Sequence, residues 1–332
     1  MLVKGKHYRT VWWERGSVKL IEQNALPFEF KIATCRGFRQ TARAIGNMTV
    51  RGAPAIGAAA GFAMAQAMLA GKAKEGTGLI KATRPTAADL FHAVDRVAAA
   101  DDALEEAQLI ADENVRACER IGEIGEKLCE ARVLTHCNAG WLACVDWGTA
   151  LAPVYARHRK GKRVFVYADE TRPRSQGARL TAWELQNEGV PHAIIADNAA
   201  AYFMQRGEID CVFVGADRIA ANGDFANKIG TLEKAICAKE FGIPFYVCAP
   251  QSTIDAKCRD GKAIRIEERD EDEVLFQTGL CDDGRIGRVR VCAPLSHAKN
   301  PAFDVTPAKL VTAYVTERGV LRRGNLIRAA HK

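Results

Sequence analysis

The sequence predicts an α/β protein in which a domain built on a parallel β-sheet follows a smaller, mainly helical one. Two changes of pattern support this. Up to residue 130, Ala-rich stretches repeat apolar residues at helical spacing, and from residue 131 short apolar runs alternate with helical stretches. Alternation of this kind belongs to parallel strands joined by helical crossovers. The expected domains are therefore 1–130 and 131–332.

Along the first part, Val18–Ile21 reads as a short strand. Helices are expected over Arg36–Ile45, Ile56–Leu69, Ala87–Ala98 and Asp102–Cys129, the third announced by Pro85-Thr86. Gly71–Gly78 reads as a connector. Ala53–Gly71 has Gln66 as its single polar side chain and contains Gly57-x-x-x-Gly61. Ala and Gly give it a weak membrane-transfer energy, so a buried helix of small residues is expected and no membrane partner. In the second part, strands are expected at Arg132–Thr135, Arg163–Ala168, His192–Ala196, Cys211–Gly215 and Phe245–Ala249. The intervening helices are expected at Gly140–Tyr155, Gln176–Glu188, Asn198–Arg206 and Asn227–Phe241.

Composition narrows the function. In 332 residues, 48% are hydrophobic and 26% charged, which excludes a disordered or fibrous chain. The net charge of +7 is scattered, with its densest runs at Arg157–Arg163 and Arg322-Arg323, so no nucleic-acid partner is expected. Such an excess suits small anionic substrates. The 11 cysteines form no Cys-x-x-Cys pair, and no secretory leader is legible in Met1–Arg9. A cytoplasmic chain with free thiols and no metal centre is expected.

Ligands of parallel sheets bind beyond the carboxyl ends of the strands. There the sequence places Thr135-His136-Cys137-Asn138-Ala139-Gly140 and Asp169-Glu170-Thr171-Arg172. Asp197-Asn198, Gly215-Ala216-Asp217-Arg218 and Pro250-Gln251-Ser252-Thr253 stand at the other strand ends. Cys137 precedes the helix expected from Gly140, whose positive end would lower a thiol pKa, or it is a small core residue. Asp217 follows Val212-Phe213-Val214, an apolar setting that would raise its pKa; the other reading is a helix cap or an Arg218 partner. Asn227 and Lys228 open an expected helix, where backbone N–H groups favour an anion; the other reading is an ordinary capped helix. Arg51-Gly52-Ala53-Pro54 combines a phosphate-binding side chain with a close backbone approach. The acidic run Glu267–Glu273 reads as a solvated loop. No dinucleotide fingerprint, Walker loop or nucleophile elbow is present.

Longer words in the sequence carry a resemblance. They are Met48–Gly57, Thr83-Arg84-Pro85-Thr86-Ala87, Leu134–Gly140, Asp169–Arg174, Gln176–Leu185, Val214–Asp224, Ala226–Thr231, Ser252–Asp255 and Asn300–Pro307. In these, from about Trp12 to Pro307, the chain resembles the S-methyl-5-thioribose-1-phosphate isomerase family of methionine salvage. Regulatory subunits of the translation-initiation exchange factor share its fold. The resemblance implies a Rossmann-like catalytic domain after a helical one, no metal, no cofactor and a homodimer. It places the catalytic pair on Cys137 and Asp217. Sugar-phosphate contacts fall on Arg51, Gly52, Ala53, Arg84, Gln176, Asn227 and Lys228. Trp141, Cys144, Trp147, Glu22-Gln23 and Cys292–Lys299 depart from the family pattern. Other substrates of the same chemistry are 5-deoxyribose 1-phosphate and ribose 1,5-bisphosphate, and a non-catalytic regulatory subunit is the rival from another class.

Overall fold

The computed structural model describes residues 1–85 and 87–326. The small pair β1 (Leu2–Val3) and β2 (Lys6–His7) precedes an antiparallel meander, β3 (Val11–Glu14), β4 (Ser17–Ile21) and β5 (Ile32–Cys35). Five helices follow: α1 (Phe38–Gly46), α2 (Ala53–Leu69), α3 (Ala73–Thr83), α4 (Ala88–Ala98) and α5 (Ala103–Gly125). Every residue of α2 from Ala55 to Ala67 is buried, because its small side chains let α1, α3, α4 and α5 approach on all sides. Val11, Val18 and Leu20 of the meander complete this core. Among the described residues no helix is long and apolar enough to cross a membrane.

The expected connector Gly71–Gly78 is instead the start of α3. Two glycines lower its helix propensity, but Gly76 lies against Ala67 of α2 so closely that no Cβ fits there. The interhelical contact outweighs the local preference.

All five expected strands of the second part form and line up in parallel in one sheet. They are β6 (Arg132–Thr135), β7 (Phe165–Asp169), β8 (His192–Ile195), β9 (Cys211–Val214) and β12 (Phe245–Cys248). β17 (Ala313–Thr316) adds a further parallel strand and β18 (Gly319–Leu321) an antiparallel edge. The parallel strands stand in the order β8-β7-β6-β9-β12-β17, that of a Rossmann sheet. The order reverses between β6 and β9, which pair directly through Thr135 and Phe213. Helices α6 (Ala152–Arg159), α7 (Ala182–Asn187), α8 (Ala200–Gln205) and α9 (Thr231–Glu240) cover the sheet.

A second, four-stranded sheet is not announced by the sequence. It consists of β10 (Arg218–Ala220), β11 (Phe225–Lys228), β13 (Ile254–Asp255) and β16 (Phe303–Thr306). Short helix α10 (Asp272–Leu275) leads into the hairpin β14 (Phe276–Leu280) and β15 (Ile286–Arg290).

Two expected helices differ. Gly140–Tyr155 is helical only from Ala152, after a single 3-10 turn at Trp141–Ala143. Asn227–Phe241 begins as strand β11 and becomes helix at Thr231.

Helix α3 offers a test with opposite signs. Gly76→Ala is expected to lower stability by about 1–3 kcal/mol through overpacking. Gly78→Ala, at an exposed position with open space around it, should raise stability by about 0.5–1 kcal/mol. Urea denaturation of both variants checks the pair; equal signs would contradict the packing account.

Candidate active site

The reversal point between β6 and β9 opens into a cavity of about 380 Å³. All nine sequence-predicted site residues line it: Arg51, Gly52, Ala53, Arg84, Cys137, Gln176, Asp217, Asn227 and Lys228. Cys137 leaves the end of β6 and Asp217 the end of β9, so direct strand pairing brings these loops side by side.

Cys137 is half-buried and has a left-handed backbone, φ +66°. Neighbouring loops hold that conformation. The Cys137 N–H donates to Thr171 Oγ1 at 2.8 Å, and Thr181 Oγ1 donates to the Cys137 carbonyl at 2.6 Å. No α-helix begins behind the thiol; a single 3-10 turn at Trp141–Ala143 stands there instead. The electrostatic partner is Lys228, whose ammonium interacts with both Cys137 and Asp217. Burial lowers the pKa of Lys228, and these two groups oppose that shift.

The segment after Cys137 is irregular for a specific reason. The wholly buried Glu184 carboxylate accepts from the N–H groups of Trp141 (2.9 Å) and Leu142 (3.0 Å). It also accepts from Asn138 Nδ2 at 2.8 Å and the Tyr155 hydroxyl at 2.7 Å. Burial pushes the Glu184 pKa up, against the pull of these donors. Because its amide nitrogen faces Glu184, Asn138 turns its oxygen toward Arg51. Arg51 Nη1 donates to Asn138 Oδ1 at 2.7 Å and Nη2 to the Asn138 carbonyl at 2.8 Å. Arg51 leads into the uncapped start of α2 at Gly52, where φ is +93° and a Cβ would strike Ala143.

Asp217 lies between β9 and β10, its N–H bonded to the Ala226 carbonyl at 2.9 Å. It caps no helix, and Arg218 pairs instead with Asp255 at 3.4 Å. Its side chain is exposed to the cavity, and the protein walls around it partly desolvate the carboxylate. That enclosure raises its pKa, and Lys228, Arg51, Arg269 and Arg84 counteract the rise.

Asn227 and Lys228 reach the cavity from strand β11 rather than from a helix start. The start of α9 is already occupied: Gly230 N–H and Leu232 N–H donate to Asp304 at 2.7 and 3.1 Å. Lys228 Nζ donates to the Ala302 carbonyl at 2.8 Å. Gln176 has a buried side-chain oxygen without a protein partner.

Several residues of the site were not legible in the sequence. Asp89 enters from α4 near Gly57, its pKa raised by enclosure. Glu267 and Arg269, from the acidic run expected to be a solvated loop, line the cavity. Beneath Cys137, His136 Nδ1 bonds Asp169 Oδ2 at 2.8 Å and Nε2 bonds the Ile229 carbonyl at 2.8 Å. Both partners are acceptors, so a proton sits on Nε2 and a second is shared with Asp169, whose pKa burial raises. Among the described residues, His136, Asp169 and Asp197 form the one group close enough to hold a cation. The Lys234 ammonium already stands 3.6 Å from Asp169 and donates to the Asp197 carbonyl, which disfavours a metal there.

Comparison with known proteins follows this geometry. The family model described as "Initiation factor 2 subunit family" matches residues 49–323. A methylthioribose-1-phosphate isomerase of Methylocella silvestris is 48% identical over 97% of this chain and 96% of its own. One of Gluconobacter oxydans is 47% identical over 96% and 95%. The crystal structure of 5-methylthioribose 1-phosphate isomerase from Pyrococcus horikoshii superposes with a TM-score of 0.87. It is 43% identical and covers 98% of this chain and 96% of that one. A structure described as translation initiation factor eIF-2B, subunit delta, from A. fulgidus gives 0.86 at 38% identity, covering 98% and 100%.

The Glu184 arrangement generates a prediction. Glu184→Gln places a donor against donors and removes a charge-assisted bond, so stability should fall by about 2–4 kcal/mol. With Asn138 no longer fixed, Arg51 loses its anchor and anion binding should weaken as well. Chemical denaturation together with phosphate titration checks both; unchanged values in both would remove Glu184 from this role.

Proposed function

We propose that this chain, which belongs to the initiation factor 2 subunit family, converts 5-methylthioribose 1-phosphate into 5-methylthioribulose 1-phosphate, an aldose–ketose isomerisation of methionine salvage. Its strong similarity to methylthioribose-1-phosphate isomerases along nearly the whole chain carries this reading. The cavity where Cys137 meets Asp217 supplies the chemistry.

A sugar phosphorylated at C1 cannot open like a free aldose, because C1 carries no hydroxyl proton to lose. Its ring oxygen must gain a proton as the C1–O bond breaks. Protonated Asp217 is the donor, and enclosure favours that protonated form. The surrounding cations oppose it. A bound phosphate dianion neutralises them and raises the Asp217 pKa further.

The thiolate of Cys137, supported by the Lys228 ammonium, removes the proton from C2 as the ring opens. The product of this step is the open-chain C1–C2 enol phosphate. Cys137 then returns its proton to C1, while Asp217 takes the proton of the C2 hydroxyl as the carbonyl forms. Both groups end as they began, with no net oxidation. Arg51, Arg84 and Lys228 bind the phosphate, the α2 start at Gly52 and Ala53 adds backbone donors, and Gln176 and Asn227 orient the sugar. The regulatory-subunit reading, which the A. fulgidus structure's name suggests, gives no role to this thiol–acid pair.

The same reading divides the chain into a helical unit of 1–130 and a Rossmann-like catalytic unit of 131–332. It makes the working form a cytoplasmic homodimer without metal, cofactor, nucleic acid or membrane.

Cys137→Ser and Asp217→Asn should both fold, bind the substrate and lose ~10²–10⁴-fold or more in kcat. Wild-type turnover should fall as pH rises through the Asp217 pKa, above the ordinary carboxylate range, because only the protonated acid serves the ring oxygen. Near-normal kcat in either variant would reassign the residue. Turnover in deuterium oxide should place solvent deuterium at C1. Complete retention of a C2 label in wild type would instead assign a direct hydride shift.

A further inference from the structure

The strap Ile264–Glu273 is a charged segment that the reaction above leaves unused. It runs along the cavity, contributing Ile264, Arg265, Ile266, Glu267 and Arg269 to its wall. Its attachment is firm. Arg269 N–H donates to the Asn300 carbonyl at 2.9 Å, Ala302 N–H donates to the Glu267 carbonyl at 2.9 Å, and Asn300 N–H donates to Glu268 Oε1 at 2.7 Å. The Ala302 carbonyl is also the acceptor of Lys228 Nζ. Strap and Lys228 therefore hang from one segment, Asn300–Ala302.

Of the strap's charged lining residues, Arg265, Glu267 and Arg269, Arg269 is the cation that acts on Asp217, Lys228 and Arg84. Its side chain is 10% exposed and reaches across to Met48, 4.0 Å away. Two carboxylates steer it: Glu267 Oε1 at 3.3 Å and Glu273 Oε1 at 3.7 Å. Glu273 also accepts from Arg174 Nη1 at 2.9 Å and Asn300 Nδ2 at 3.1 Å. Burial pushes the Glu273 carboxyl up, but Arg174 and Arg269 hold it below the ordinary range, so it is ionised.

The field of Arg269 reaches the centre of the site. It lowers the pKa of Asp217 and, by like-charge repulsion, the pKa values of Lys228 and Arg84. Arg269, Arg84, Lys228 and Arg51 all act on Asp217, the one carboxylate they share at the centre. Cations packed this closely repel one another until an anion arrives.

We propose that Arg269 is a further binding residue for the phosphate ester, and that Glu273 is the positioning residue that aims it. This rests on the cavity being a phosphate-ester site. Arg269 then supplies charge from the strap and Arg51 from the start of α2, so the anion is held by both segments.

The test is calorimetric titration of the full chain with inorganic phosphate, which needs no turnover. Arg269→Met should weaken phosphate binding about 10-fold or more, the loss of one charge-assisted contact. Glu273→Gln should weaken it less, and in sugar-phosphate assays should raise KM more than it lowers kcat. If Arg269→Met does not fold, Arg269→Gln, which keeps a polar side chain without the charge, is read by the same criterion. Wild-type phosphate affinity in the folded Arg269 variant overturns the proposal, as does failure of wild type to bind phosphate at millimolar concentrations. An unchanged KM in Glu273→Gln overturns the positioning role. Phosphate binding that depends on Arg269 without any isomerase turnover would leave this inference standing and sink the isomerase reading.

Discussion

One buried carboxylate sets the shape of the site. Glu184 has no contact with solvent, and an ionised group in that position is tolerable only if its oxygens are saturated with donors. Trp141, Leu142, Asn138 and Tyr155 provide them. Satisfying that charge draws the segment after Cys137 into an irregular path. Gly140 is required because a Cβ would collide with the carboxylate, and Gly148, at φ +79°, because it turns back against Gly140. From this path follow the orientation of Asn138, the aim of Arg51 and the placement of the α2 start against Ala143. The helical part of the chain thus meets the sheet at the cavity rather than merely packing beside it.

The second constraint is backbone geometry at the strand ends. Cys137, Thr171 and Ser175 all have positive φ, a conformation that costs a non-glycine residue about 1–3 kcal/mol. Their loops hold one another: Thr171 accepts from Cys137, and its own N–H donates to Asp197 at 2.7 Å. Such cross-bracing fixes the thiol relative to Asp217 without a helix beneath it. The shared proton between His136 and Asp169, with Lys234 beside it, forms a buried floor under the same residues.

Charge balance around the cavity follows a consistent logic. Cations lie within range of a single central acid, and the carboxylates that neutralise some of them stand behind, as Glu273 does for Arg174 and Arg269. Asp89 and Glu267 also line the cavity, so an entering anion meets these carboxylates as well as the cations. Desolvation raises the pKa of Asp217 and the surrounding cations Lys228, Arg51, Arg269 and Arg84 oppose the rise.

The sequence by itself determined the α/β class, the parallel strands and the residues that gather at the cavity. Strand alternation and strand-end chemistry are local and periodic, and the long motif words name Cys137, Asp217, Arg51 and Lys228 directly. Only the tertiary structure decided how these residues are supported. Lys228 acts from a strand because β11 pairs with β16, distant in sequence, Lys228 lying against Phe303. The segment after Cys137 makes only a 3-10 turn, and its first N–H groups are satisfied by Glu184, distant in sequence. Helix α3 forms because Gly76 fits against Ala67, and Arg269 faces the cavity because its strap is tied to Asn300. Each of these depends on a partner far along the chain, and local pattern carries no record of which distant group will satisfy a buried donor or charge.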